Sequence, residues 1–359
     1  MNPKFYNPAN AGKWSYDPNL RVLAESALDY RKQAGVRAAA TDRKRVALLL
    51  IDVQRDFCIP PEFDANGIQI SGGTLYVGGR SGTGAIDDSR RMAEFIYREM
   101  AALTSIIPTM DTHEAFQIFT PSFWVDQDSN ALQPHDVIDG NMQVIRGGVL
   151  SGLRASVNPA ITRDIIGDPN AYAWLQKQVE YYAAELARKG KYPLYIWPEH
   201  CVLGSMGYTL VGVVQEARMF HGYVRNAQNQ AQVKGGNPLT ENYSIFGPEV
   251  TTRFDGKGTI AQKNANFLRV LLEYDAVIIA GQASSHCVKS SIDDLLSEIQ
   301  SKDPVLAQKV YILRDCTSAV VVQGVVDFTD EAEKALDRYA AAGMNIVSSV
   351  DPMSSWLKV

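Results

Sequence analysis

Short, mainly apolar runs recur along the chain at 46–51, 103–108, 194–197, 276–280, 310–313 and 345–350. A strand covered on both faces has no solvent side to alternate with, so runs of this kind predict buried parallel strands. Between them, 84–102, 171–189, 208–224, 259–274, 285–299 and 330–342 have helix-like patterning. Strand and helix in alternation predict a three-layer αβα architecture around a six-stranded, mostly parallel sheet. The first 44 residues lack strand-like alternation and hold one amphipathic stretch, 20–35, so 1–44 reads as an N-terminal arm and 45–359 as a single enlarged domain. Two stretches rich in turn-forming residues, 64–83 and 120–169, interrupt the frame as insertions. A structureless connection as long as 120–169 is unusual inside a domain, so it is expected to fold over a site or to form subunit contacts in a homo-oligomer.

In an open sheet of this kind ligands gather at the carboxyl ends of the strands. The residues that follow the first four apolar runs are Asp52, then Asp111 with His113, then Glu199 with His200, then the segment 281–287 that ends at Cys287. Four successive runs therefore end in side chains able to do chemistry.

Composition narrows the class. The hydrophobic share is 46%, the charged share 21%, and the net charge of −5 is dispersed, which gives nucleic acid no basic surface to bind. No apolar run approaches the ~20 residues that span a bilayer, and the first residues, MNPKFYNPAN, carry no secretion-type pattern, so a cytoplasmic protein is expected. Cys58, Cys201, Cys287 and Cys316 are widely spaced with no CxxC pair and read as free thiols.

Cys287 lies in AGQASSHCVKSSIDDLL, after a strand-like run and in the first turn of a helix capped by Ser284 or Ser285. Helix-terminal amides favour a thiolate there; a buried structural cysteine is an equally good reading of this context alone. Attack on an amide also needs a group to take the thiol proton and return one to the leaving amine. Asp52, in VALLLIDVQRDF, is the candidate, with a strand-end cap as its bland alternative. Lys234, in QVKGGNPLTENYSIF, is the candidate cation, and Arg225 its substitute. Asp111 and His113 in D-x-H spacing, with His200 from WPEHC, supply one carboxylate and two imidazoles, a donor set suited to Zn²⁺, with Fe²⁺ or Mn²⁺ as alternatives. Glu199 is read as pointing outward, and His135 and His221 as surface or core residues.

Taken together, LLIDVQRDF, MDTHEAF, WPEHCVLGSMG, the segment from Lys234 to YSIF, AGQASSHCV and ILRDCTSAV resemble, in order, the isochorismatase-like cysteine hydrolases and, within them, the nicotinamidases. The resemblance covers 46 to about 350. It implies a triad of Asp52, Lys234 and Cys287, a cis peptide mapping to Ala283 and Ser284, and oxyanion donors in the backbone amides of Ala283 and Cys287. It implies a metal on Asp111, His113 and His200, walls for a flat ring from Phe57, Trp197 and Tyr243, and hydrolysis of a small carboxamide, nicotinamide foremost, through a Cys thioester. A ureido or carbamoyl substrate, or a catalytically silent binding or assembly subunit, are the rival expectations. Ser285 and His286 depart from the family pattern before the cysteine, and His286 is read either as packing or as an extra proton carrier.

Overall fold

A computed structural model describes residues 2–189, 192–324 and 326–358. Its central sheet comprises β1 (Val46–Ile51), β2 (Ser105–Asp111), β3 (Gln232–Lys234), β4 (Ala276–Gly281), β5 (Val310–Leu313) and β6 (Asn345–Val347). They lie side by side in the order β3-β2-β1-β4-β5-β6, every neighbouring pair parallel.

The apolar runs are continuous because each central strand is buried on both faces, with alternate residues serving two cores. Val46, Leu48 and Leu50 of β1 face one core; Ala47, Leu49 and Ile51 face the other. The main helices are α1 (Leu20–Ala34), α2 (Gly84–Arg98), α3 (Tyr172–Lys189), α4 (Gly212–Arg225), α5 (Ala265–Leu272), α6 (Cys287–Lys302) and α7 (Thr329–Ala341). Helices α1, α2 and α4 supply the first core; α5, α6 and α7 supply the second. The chain moves outward from β1 in one direction to β2 and β3, then returns to the other side of β1 for β4, β5 and β6. That reversal opens a crevice at the carboxyl ends of β1 and β4, where such sheets bind ligands.

One expected strand is not in this sheet. Leu194–Tyr195 pairs antiparallel with Val137–Ile138 in a separate four-stranded sheet that also contains Gln143–Arg146 and Val149–Arg154. The sixth place is taken by β3, whose QVK carries too little apolar pattern to stand out in the sequence. The segment 120–169 is not a structureless loop either. With α3 and the small sheet it builds a third core around Trp124, Ile138, Val144, Leu175, Val179 and Tyr182.

The arm is anchored close to the crevice. The buried Arg55 guanidinium, in the turn after β1, donates to the carbonyls of Trp14 and Tyr16, each at 2.8 Å, and pairs with Asp17. Helix α1 adds Leu23 and Ala27 to the first core and stops at Gly35, which takes a left-handed conformation at φ 62°.

Candidate active site

Asp52 is the first residue beyond β1, fully buried and turned back at φ 47°. Thr109 of β2 holds it by two contacts: its hydroxyl accepts from the Asp52 amide at 3.0 Å and donates to Asp52 Oδ1 at 2.5 Å. Lys234, the last residue of β3, reaches under β2 to place Nζ 3.0 Å from Asp52 Oδ2, 2.8 Å from Asp111 Oδ1 and 3.8 Å from Cys287 Sγ. Three strand ends thus converge on the sulfur at the start of α6. Arg225, the substitute cation, lies elsewhere, paired with Asp42 and bound to the Leu103 carbonyl at the amino ends of the strands.

The electrostatics follow from burial. Desolvation pushes the Asp52 carboxyl up from its ordinary range, with Lys234 pulling it down. Burial likewise tends to strip the Lys234 proton, but Asp111 and Asp52 outweigh it and hold the ammonium well above its usual range. The Cys287 thiol is raised well above its usual value, first by burial and then by both carboxylates, against the pull of Lys234. The sequence-based expectation of a resting thiolate is therefore corrected: helix-terminal amides do not outweigh desolvation beside two carboxylates, and the sulfur rests as a thiol with Asp52 in hydrogen-bonding reach. The cap of α6 is corrected as well. It is His286, without a side-chain capping bond, in place of Ser284 or Ser285. The cis peptide joins Gln282 to Ala283, one residue before the expected position.

Asp111, His113 and His200 form a buried cluster whose ligand atoms all lie within 4.8 Å of one another. His113 Nδ1 faces the Gly235 carbonyl at 3.2 Å and His200 Nδ1 faces the Pro198 carbonyl at 2.7 Å. A carbonyl only accepts, so both rings carry their proton on Nδ1 and leave an Nε2 lone pair. His113 Nε2 is buried without a hydrogen bond although it lies 2.9 Å from Asp111 Oδ2, and His200 Nε2 lies 3.9 Å from the same oxygen. Burial, with His113 next, lowers His200 to about 3, so its ring stays neutral. Two lone pairs and a carboxylate oxygen meeting in a dry corner fit a divalent cation. Gly235 permits the arrangement: it adopts φ 86°, and a Cβ there would sit 2.6 Å from Asp111 Oδ1.

His200 does not sit at the end of a central strand, contrary to the sequence pattern. Its loop is fastened across the crevice by a parallel bridge between His113 and Val202. Two further side chains complete the fastening. Gln54 grips the Asp111 backbone from both sides, accepting from its amide and donating to its carbonyl, each at 2.7 Å. Asp56 accepts from the Cys201 amide at 2.6 Å and from the Thr74 amide at 3.3 Å. Both lie in the motif LLIDVQRDF, but nothing in it reveals that they grip other segments. Gln54→Leu and Asp56→Ala are each expected to weaken metal binding roughly 10–100-fold, read by competition with a chromogenic chelator.

A cavity of about 730 Å³ opens above Cys287, lined near the sulfur by Ala283, Asp111, His113 and His200 and walled by Phe57, Trp197 and Tyr243. Asp52 and Lys234 lie behind this lining. Tyr243 accepts from Trp197 Nε1 at 2.9 Å and donates to Glu241 Oε1 at 2.9 Å, while Tyr182 donates to Glu241 Oε2 at 3.0 Å. His286 packs between Trp197, Tyr243 and Phe328, with Nδ1 2.8 Å from the Ser285 hydroxyl. Burial and then Lys289 lower it to about 4, so it is neutral near pH 7. His135, read from sequence as surface or core, is exposed and rims the cavity against Tyr195; His221 is buried away from it, on the Leu103 carbonyl. Glu199 is exposed.

Glu241 lies within the segment from Lys234 to YSIF, which assigns it no role. Burial pushes it up to about 8, with Tyr243 opposing and Glu249 adding to the rise. Because the folded protein holds this proton more tightly than the unfolded chain, with its ordinary value near 4.5, the group's contribution is fully present below about pH 4.5 and is lost as pH rises through 8. Glu241→Gln is expected to flatten the fall in stability between pH 5 and 9 by roughly 2–4 kcal/mol, measured by urea unfolding across that range.

No family model matches the chain. It is 28% identical to the nicotinamidase of Escherichia coli strain K12 over 162 residues, which cover 44% of this chain and 61% of that one. The match thus spans about three fifths of the relative's length. Among solved structures it is similar to an Acinetobacter baumanii nicotinamidase pyrazinamidase (16% identity, TM-score 0.46, 87% of this chain and 99% of that chain). It is similar also to a yeast nicotinamidase bound to the inhibitor nicotinaldehyde (15%, 0.45, 85% and 100%) and to a Pyrococcus horikoshii pyrazinamidase in complex with zinc (18%, 0.41, 85% and 99%). Among the described residues no helix is long and apolar enough to cross a membrane. The sequence match to a nicotinamidase, added to the ordered motifs and the doubly wound sheet that carries them, makes the chain similar to the isochorismatase-like family and, within it, to the nicotinamidases.

Proposed function

We propose that the chain is an amidohydrolase that converts a small aromatic carboxamide, nicotinamide foremost, to its acid and ammonia. The observation that carries this reading is the single ammonium of Lys234, behind the cavity lining, in contact with Asp52, Asp111 and Cys287. The match to a nicotinamidase supports it.

In this reading the Cys287 sulfur attacks the carboxamide carbon while its proton passes to Asp52, whose raised affinity for protons suits it to that task. The backbone amides of Ala283 and Cys287 stabilise the developing oxyanion. Asp52 then returns the proton to the leaving nitrogen, the C–N bond breaks, and ammonia departs from a Cys287 thioester. Water adds to the thioester, giving one proton to Asp52, and the C–S bond breaks as that proton returns to sulfur. Lys234 stays charged throughout and keeps two buried carboxylates compatible. Asp111, His113 and His200 would hold the divalent cation, zinc by donor type with iron or manganese as alternatives, which supplies Lewis acidity toward a ring nitrogen. Phe57, Trp197 and Tyr243 sandwich the ring.

Metal-loaded protein is expected to release ammonia from nicotinamide at about 1–10³ s⁻¹ and to lose that activity in chelator. His113→Ala and His200→Ala lose bound metal by elemental analysis. Absence of ammonia from nicotinamide and from a panel of other carboxamides sinks the proposal.

A further inference from the structure

We infer that the cavity holds a second, apolar subsite beyond the ring pocket, so that the substrate class includes aromatic carboxamides bearing an apolar substituent that points away from the nucleophile. This rests on the amidase reading above.

At about 730 Å³ the cavity falls within the range of sites that enclose drug-sized ligands. A single-ring carboxamide held between Cys287 and the His113–His200 corner fills only its inner end. The rest of the lining includes Pro61, Phe63, Tyr76, Val320, Val321 and Val322, with Thr74, His135 and Gln323 among its polar members. None of the first six, Tyr76 included, carries a charge near neutral pH, whereas the two carboxylates of the lining contact the site itself: Asp111 pairs with Lys234 and Glu241 accepts from the ring-wall Tyr243. Phe63 and Val322 are 58% and 38% exposed, leaving apolar surface unused by the fold itself.

Both outer walls come from hairpins outside the αβα frame, and both are tied to elements that carry the chemistry. On one side, Glu62–Phe63 pairs with Gln69–Ser71, and the segment that follows is bound to the turn after β1: the Leu75 amide donates to the Asp56 carbonyl at 3.1 Å and the Val77 amide to the Phe57 carbonyl at 2.8 Å. On the other side, Val321–Val322 pairs with Val326–Asp327. That hairpin is fastened to the nucleophile turn, because the Val320 amide donates to the Ser285 hydroxyl at 3.1 Å and the Ser284 amide to the Ser318 carbonyl at 2.9 Å. The apolar end therefore has a set position relative to Cys287. A ligand group reaching it exchanges water for Phe63, Tyr76 and valine side chains, which is worth about fourfold in affinity per methylene.

The test separates binding from turnover. Dissociation constants of nicotinamide and of nicotinamides butylated at each open ring carbon are measured by calorimetry on metal-loaded Cys287→Ala protein. At least one butyl isomer is expected to bind about tenfold or more tightly than nicotinamide. In the same background, the doubly substituted Phe63→Ser, Val322→Ser protein, altered only at exposed side chains, loses most of that gain. A butyl series with no gain, or a gain that survives the double substitution, overturns the subsite. Failure of the amidase reading is a different result: wild-type protein that releases no ammonia from any of these amides, whatever their affinities.

Discussion

Cys287→Ala is expected to lower ammonia release by at least ~10⁴-fold while leaving the urea midpoint of the protein unchanged. Cys287 lies at the first position of α6, where alanine is a good helix former, and the residue is 7% exposed at the cavity floor, so the change removes the sulfur without opening the sheet. Asp52→Asn is its companion. Asparagine preserves the size of the side chain and the bond to Thr109 but cannot accept the thiol proton. Because burial raises the Cys287 thiol and a base must take its proton, turnover in Asp52→Asn is expected to fall nearly as far as in Cys287→Ala. Either variant retaining a rate within tenfold of wild type removes that residue from the chemistry.

The second large effect is on stability. Lys234→Met replaces a fully buried ammonium with an apolar chain of similar length. It leaves Asp52 and Asp111 facing one another without their shared cation. Removing one partner of a buried ion pair typically costs about 3–5 kcal/mol, because the remaining charge is neither solvated nor paired. The loss is read as a shift in denaturant midpoint. It is larger in chelator than with metal, because a cation on Asp111, His113 and His200 neutralises one of the two carboxylates. An unchanged midpoint in chelator contradicts the buried charge network.

Much of this architecture is legible in the chain. The runs that became β1, β4 and β5 are apolar at every position because both faces are covered, and that pattern is local. Strand–helix alternation and strand-end chemistry then point to Asp52, Asp111, His113 and Cys287. Where the pattern misled, a tertiary cause is identifiable. Leu194–Tyr195 is apolar because it closes a third core, and periodicity carries no label for which core a strand serves. β3 is three residues long at the sheet edge, with Val233 59% exposed, so it has no hydrophobic signature although it delivers Lys234.

The chain by itself determined the doubly wound frame and the residue types gathered at its strand ends, among them a carboxylate and two imidazoles able to hold a metal, because these depend on periodicity and on chemistry carried by single residues. Only the tertiary structure decided that Lys234 spans two carboxylates, that Gln54 and Asp56 hold the segments bearing Asp111 and His200, and that Glu241 lies in the cavity wall. It also decided that burial and two neighbouring carboxylates raise the Cys287 thiol. Each of these is set by distances between residues far apart in sequence and by the exclusion of water around them, and neither quantity exists until the chain has folded.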